Sequence, residues 1–424
     1  MRRKFAILLS AMLLTQAVCG CGGAAPSATS SASASTDSTA SKSSEKAVIV
    51  TDEQDFTHEN GITRLAKEIY GDLNVEFFVL SEDAQERETQ ISSLRVEIMA
   101  GGGPDGYLLS SPTSNMTFNG EGHPATLFPD VQRTMQVGAF LPLDDYIKES
   151  EYFRSEDHFA PVFFDTGKTD EGQVVLPITY YASVFLLDKA QLADPDFTPK
   201  TWDELVNCED TAVLKVVRNN LYTWCGAGIP RIADYATEKT ILTEEDLTAQ
   251  FEDLLAMPAS ESFDEETALI QSGSYAQTDE GMAYYAQNKD TVNALAIPNT
   301  EGGVTAFITS YAAINRNSPK ADEVFRFFEL LFSDEAQIDT ETVNDARGTL
   351  LMLGNQNSFL THKNAYLQPE LLESVQSRVN AVRFYSVMDY TIYDTATTLT
   401  WEENPDCAAA AHSVMEALQT RLSE

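Results

Sequence analysis

The chain has 424 residues, with 28 basic against 65 acidic side chains and a formal net charge of −37 at neutral pH. So acidic a surface repels phosphate backbones and anionic lipid headgroups, which argues against nucleic acid and polyanionic ligands. With 43% hydrophobic and 10% aromatic residues there is ample material for buried cores, and the length exceeds what one core serves, so two lobes are expected.

The N-terminus reads as an export signal. Arg2, Arg3 and Lys4 form a basic start, Phe5 to Leu14 an apolar run too short to span a bilayer, and Gln16 to Gly20 a short exit. Val18-Cys19-Gly20-Cys21 resembles a bacterial lipobox in which Cys21, behind the small Gly20, is the residue to be lipidated. Residues 1–20 are then the signal peptide. Residues 21–46, almost entirely Gly, Ala, Ser, Thr and Pro, cannot bury enough apolar surface to fold and form a flexible stalk. Cys208 and Cys225 stand either as a disulfide or as free thiols, Cys407 is left over, and no zinc spacing exists among them.

Ala47 to Val50 reads as a first strand, followed by the polar loop Thr51 to Phe56. Ile62, Leu65, Ala66 and Ile69 mark a helix that Gly71 ends, and Val75 to Leu80 is the next strand, which completes a βαβ unit. Ile91, Leu94 and Ile98 recur at helical spacing until Gly101 to Pro104 stop the helix, and Tyr107 to Leu109 is a strand ending in Ser110 and Ser111. Such α/β sheets bind ligands just beyond their strand ends. Ser111 to Pro129 lacks periodicity and reads as a loop at a cleft rim. Val174 to Leu187 is long and apolar enough to leave one lobe and enter another, with Tyr180 and Tyr181 at the crossing. Thr201-Trp-Asp-Glu204 predicts a capping box. Leu242 to Met257 and Asp264 to Gln271 read as helices, Asn293 to Asn299 as a strand into a turn, and Val304 to Ile314 as a second crossing. Ser318-Pro319 predicts a helix start, and the last helix runs from about Ala408 to Leu422.

Enzyme motifs fail. Gly167-Lys168-Thr169 mimics the end of a P-loop, but Val162 stands where its first glycine belongs, so a turn between strands is expected. Asp194-Pro-Asp196 lacks the glycine and glutamate of a calcium loop, and no HExxH or GxSxG occurs. Neither a catalytic residue, nor a metal, nor a cofactor is assigned.

The segments IMAGGGPDGYLL, FLPLDDYI, VLPITYYASVFLLDKAQL, TPKTWDEL, IPNTEGGVTAFITSYAAINRNSPKADEVFRFFELLFSDEAQ and AAAAHSVMEALQTRLSE, in this order behind a lipobox and stalk, resemble the family one, carbohydrate-type extracellular solute-binding proteins of ABC importers, the maltose-binding-protein-like group. The resemblance implies an α/β, two-lobed type II periplasmic-binding-protein fold with the ligand cleft at the hinge. Lobe one would comprise residues 47–180 and 312–355, and lobe two 181–311 and 356–424. Residues Asn344 to Leu353 depart from the family pattern and leave the third hinge unplaced. The implied role is that of a monomeric, lipid-anchored receptor on the outer face of a bacterial cytoplasmic membrane. It would capture a carbohydrate and deliver it to ABC permease transmembrane subunits, touching the membrane only through its anchor. An extracellular carbohydrate-active enzyme or a surface sensor on the same scaffold is the alternative.

A sugar site needs aromatic faces for C–H patches together with side chains that hydrogen-bond hydroxyls. The aromatic candidates are Tyr180 and Tyr181 at the crossing, Tyr222 and Trp224 where the resemblance places second-lobe cleft aromatics, and Tyr390 and Tyr393 near the C-terminus. The polar candidates are Glu53, Gln54 and Asp55 in the first strand-end loop, and Tyr107, Ser110 and Ser111 at the next. Asp279 and Tyr284 fall where the family presents another cleft residue. Asp105 is expected to fix the glycine turn, and Trp202 to pack.

Overall fold

The structure, a computed structural model, describes residues 46–111, 125–150, 152–153, 161–219, 226–259, 284–337, 359–360 and 369–423. Its strands are β1 (Ala47–Thr51), β2 (Val75–Val79), β3 (Gly106–Ser110), the hairpin β4 (Lys168–Thr169) and β5 (Gly172–Gln173), β6 (Val175–Ala182), β7 (Val184–Asp188), the hairpin β8 (Ala233–Asp234) and β9 (Lys239–Thr240), β10 (Val292–Ala296), β11 (Val304–Ile314), β12 (Phe359–Leu360) and β13 (Val379–Phe384). Gly167 therefore leads into a small hairpin, as the failed P-loop pattern implies.

The N-terminal βαβ unit forms where apolar spacing places it. β1 and β2 pair in parallel, joined by the helix Gly61–Tyr70, which Asn60 caps and Gly71 closes at φ 79°. The helix Ala84–Met99 turns its Arg87, Ile91 and Leu94 inward. Gly101, at φ 82°, then reverses the chain toward β3, which lies parallel to β1. Asp105 fixes this turn: its carboxylate accepts from the Val48 amide (2.9 Å) and the Ser318 hydroxyl (2.7 Å), tying β1 to the turn that follows β11.

One seven-stranded sheet, ordered β12-β6-β11-β3-β1-β2 with β13 also on β11, carries the larger core. β11 is buried throughout and organises the sheet. It runs parallel to β13 from Val304 to Ile308 and antiparallel to β3 from Ser310 to Ile314, while its other edge pairs antiparallel with β6. The apolar run at 174–187 is two strands broken at Ser183, because β7 leaves the large sheet to pair with β10. Alternation in this two-stranded ladder sends Val184, Leu186, Val292 and Ala296 to the first core, and Phe185, Leu187, Leu295 and Ile297 to the second. The second core is closed by the helices Glu244–Ala256, Val387–Trp401 and Cys407–Ser423. The result is a two-lobed α/β molecule with a shared ladder between its cores.

Two helix starts differ from expectation. Thr201 accepts from the Glu204 amide (3.2 Å), but Glu204 reaches past it to the Lys200 amide (2.7 Å), so the box is half formed. The helix expected at Pro319 begins at Ala321. Ser318 is committed elsewhere, accepting from the Lys320 amide (3.0 Å) while donating to Asp105. Trp202 is buried and donates from Nε1 to Asp253 (2.9 Å), a packing role. Cys208 and Cys407 are free thiols, and Cys225 lies outside the described residues, as do the expected helix at 264–271 and the segment 344–353.

Candidate functional site

Where the parallel strands β1 and β3 end, a polar row crosses the large sheet. Asp52 follows β1 directly and accepts from the Ser110 amide (3.1 Å) at the end of β3. Register then places Ser110 opposite Ser310 of β11, and Ser310 opposite Thr179 of β6. An irregularity in β11 around Thr309 breaks the pairing with β6 and brings two consecutive β11 hydroxyls to one partner. Thr179 Oγ1 lies 2.8 Å from the Thr309 hydroxyl and 2.5 Å from that of Ser310. The Ser111 amide donates to the Thr309 carbonyl (2.9 Å), and the Ser111 hydroxyl is buried without a hydrogen-bond partner among the described residues.

Asp52 is the charged end of this row. Burial pushes its carboxyl above the usual carboxylate range, opposed by Arg87 and by the hydrogen bonds from Ser110. Arg87 lies 3.5 Å from Asp52 and donates through Nε to the Ala125 carbonyl (2.7 Å). Glu53 caps the short turn Gln54–Thr57 by accepting from the Asp55 amide (3.3 Å), and burial raises its carboxyl too, with Asp55 and Asp52 adding repulsion.

On the second-lobe side, β13 places Arg383 opposite Phe307 of β11, its guanidinium 4.6 Å from the ring centroid. Arg383 pairs with Asp389 in a buried ion pair and is held further by the Ile229 carbonyl (3.3 Å). Asp389 is fixed in turn by the Ser386 amide (2.9 Å) and hydroxyl (3.1 Å), in the capping box that starts the Val387–Trp401 helix. Tyr385 packs edge-on against Phe307 at 6.1 Å.

The row therefore sets the Asp52 carboxylate and Ser110, at strand ends, against the buried hydroxyls of Ser111, Thr179, Thr309 and Ser310, beside the junction of two cores. The sequence matches the family model for bacterial extracellular solute-binding proteins over residues 57–338. The chain belongs to this family. No curated protein sequence matches this solute-binding protein significantly. Among solved structures it is similar to the sugar-binding protein MalE from Xanthomonas citri, at 11% identity over 89% of this chain and 97% of that one, with a TM-score of 0.59. It is similar also to a family 1 extracellular solute-binding protein from Bifidobacterium longum subsp. infantis, at 12% identity over 89% and 99% of the two chains and a TM-score of 0.55. The GacH receptor of Streptomyces glaucescens, solved unliganded and with acarbose, aligns at 10% identity over 90% of this chain and 100% of that one, with a TM-score of 0.52. At such identities these likenesses establish the two-lobed periplasmic solute-binding fold.

The residues expected at the site of this solute-binding protein divide into three groups. Ser110 and Ser111 lie in the row, and Glu53, Gln54 and Asp55 form the turn next to Asp52. Gln54 uses its amide to hold the Leu80 carbonyl (2.8 Å). Tyr181, half-buried on β6, stands opposite Phe307, and its hydroxyl accepts from Ser183 at 3.4 Å. Tyr107 and Tyr180 correct the expectation. Both are 0% exposed, Tyr107 set edge-on to Phe128 (5.0 Å) and Phe140 (5.7 Å), and Tyr180 against Phe163 (4.2 Å). Strand alternation turns both rings into the first core, and burial raises both hydroxyl pKa values. Tyr390 and Tyr393 form a half-buried pair 6.1 Å apart on the helix that Asp389 helps to cap, with Tyr393 packed on the second core. Tyr284 is 43% exposed. Tyr222, Trp224, Asp279 and Cys21 lie outside the described residues.

Sequence reading missed Asp52, Arg87, Thr179, Thr309, Ser310, Arg383 and Asp389. Arg87 carried a signal: it precedes Ile91 by one helical turn, so a charge falls on the apolar stripe. Arg383 carried another, as a cation inside the apolar run of β13. The hydroxyls of β6 and β11 carried none, since only the pairing of distant strands brings them together.

Proposed function

We propose that the chain is the substrate-binding lipoprotein of an ABC importer, which captures a carbohydrate, specifically an oligosaccharide, by closing its lobes and passes it to the permease transmembrane subunits. It acts as a monomer, anchored through Cys21 to the outer face of the bacterial cytoplasmic membrane, with residues 21–46 as the tether. The observation that carries this reading is the row Asp52, Ser110, Ser310 and Thr179, with the buried, unpartnered Ser111 hydroxyl beside it. Hydroxyls and a carboxylate whose charge Arg87 balances suit a neutral ligand rich in hydroxyl groups. Tyr181, together with Tyr222 and Trp224, supplies the aromatic faces that sugar C–H patches require. The reading is supported by the sugar-binding and acarbose-binding character of two proteins that share the fold. Among the described residues no helix is long and apolar enough to cross a membrane.

Thermal unfolding against a panel of neutral oligosaccharides tests it. A ligand at a hundredfold excess over its Kd adds about 2.7 kcal/mol to stability, a clear rise in melting temperature. No shift with any glycan in the panel would remove the carbohydrate assignment. Retention of a Cys21→Ser variant at the cell surface, where release into the medium is expected, would remove the anchor.

A further inference from the structure

The helix Val131–Gln136 belongs to the first lobe, because Val131 and Met135 are buried in the first core. Its polar side chains reach the second lobe. Arg133 donates through Nη1 to the Leu422 carbonyl, in the last turn of the Cys407–Ser423 helix, and lies 3.8 Å from Glu238. A cation suits the unsatisfied carbonyls at a helix C-terminus. Asp130 caps its own helix by accepting from the Arg133 amide (3.0 Å) and also faces the Tyr235 hydroxyl. Tyr235 and Glu238 belong to the turn joining β8 to β9, and Leu422 is buried in the second core. Beside these contacts lies a cavity of about 350 Å³ lined from both lobes by Gln132, Gln136, Lys168, Arg231 and Tyr235. The lobes thus meet here at polar points with open space between them.

Glu238 supplies a second, independent observation. Among the described residues it is the only one other than glycine with a positive φ, 52°, a conformation that L side chains seldom take. A hairpin that needed only to turn would be served by glycine. Strained backbone persists where the side chain it carries is in use, and this side chain meets Arg133.

We propose that Asp130 and Arg133 of the first lobe, with Tyr235, Glu238 and the Leu422 carbonyl of the second, form a polar clasp that holds the lobes at the spacing seen here. The clasp acts without ligand and biases the equilibrium between lobe spacings on which affinity depends. Its members are positioning residues and none needs to touch the solute. The proposal rests on the reading of the chain as a hinge-closing binder, but not on which ligand it binds.

Small-angle X-ray scattering of the ligand-free protein tests the clasp, with circular dichroism as the check on folding. Arg133→Gln combined with Tyr235→Phe is expected to raise the radius of gyration while leaving helical content unchanged, and a radius equal to that of the unmutated protein overturns the proposal. Glu238→Gly separates the clasp from a merely structural role. Relief of the positive φ raises the melting temperature, while loss of the carboxylate opens the lobes. A more stable Glu238→Gly protein with unchanged scattering overturns the proposal as well. Because no sugar is present, failure of the carbohydrate assignment would leave these differences intact.

Discussion

Arg383–Asp389, which joins β13 of the large sheet to a helix of the second core, and Asp52–Arg87 in the first lobe are both ion pairs taken largely out of water, yet they are held differently. The side chains of Arg383 and Asp389 are only 6% and 3% exposed, with Ser386 bonded to the carboxylate and the Ile229 carbonyl to the guanidinium. Arg87 and Asp52 stand 3.5 Å apart, 11% and 14% exposed, the one on the helix Ala84–Met99 and the other at the end of β1. The first arrangement fixes a junction of strand, helix and aromatic ring. The second leaves a desolvated carboxylate with a longer partner contact, free to exchange part of it for a ligand hydroxyl. On the proposed reading, the contrast separates architecture from recognition within one molecule.

Removing one member of each pair should break the two regions in different ways. Asp389→Ala strands a buried guanidinium and is expected to cost about 3–5 kcal/mol of stability in denaturant unfolding, a loss large enough to threaten the fold. A cost below about 1 kcal/mol would mean that the pair is not what holds the junction. Asp52→Ala should act mainly on binding, lowering affinity tenfold or more, about 1.4 kcal/mol, while the protein stays folded. Tyr181→Ala and Trp224→Ala are expected to do the same by calorimetry. Thr179→Val keeps the shape but leaves two hydroxyls short of a partner, and should cost about 1 kcal/mol.

The smallest effect concerns pH. Because burial raises the folded-state pKa of Asp52, its protonated form favours folding, a contribution complete below the ordinary carboxylate pKa and lost as pH rises through the raised value. Asp52→Asn removes that loss. Compared across a pH series, its stability relative to the unmutated protein should therefore improve from acid toward neutral pH. A relative stability that is flat or falls over this range would mean that the carboxyl is not desolvated in the ligand-free protein.

The parts of the fold that apolar spacing encodes locally were legible. β1, the helix Gly61–Tyr70, the end of Ala84–Met99 and β3 all follow from short-range pattern and glycine chemistry, and Asp105 is structural, as its turn implies. Pairing was not legible. Nothing local to Ser310 indicates that it sits between Ser110 and Thr179, or that the irregularity at Thr309 doubles the hydroxyls reaching Thr179. The aromatic half of the site suffered from the period of the strand. Tyr180 and Tyr181 are adjacent, and only sheet register decides which ring enters the core. Charges on apolar stripes proved more informative than polar loops, since Arg87 and Arg383 each lead to a buried partner.

If the row around Asp52 recognises a neutral, hydroxyl-rich ligand, as proposed, loss of the carboxylate must weaken binding. Isothermal titration of the unmutated protein and of Asp52→Ala with neutral oligosaccharides tests it most directly. Saturable binding by the former and at least tenfold weaker binding by the latter, at unchanged helical content, are expected. Equal affinities in the two proteins would contradict it.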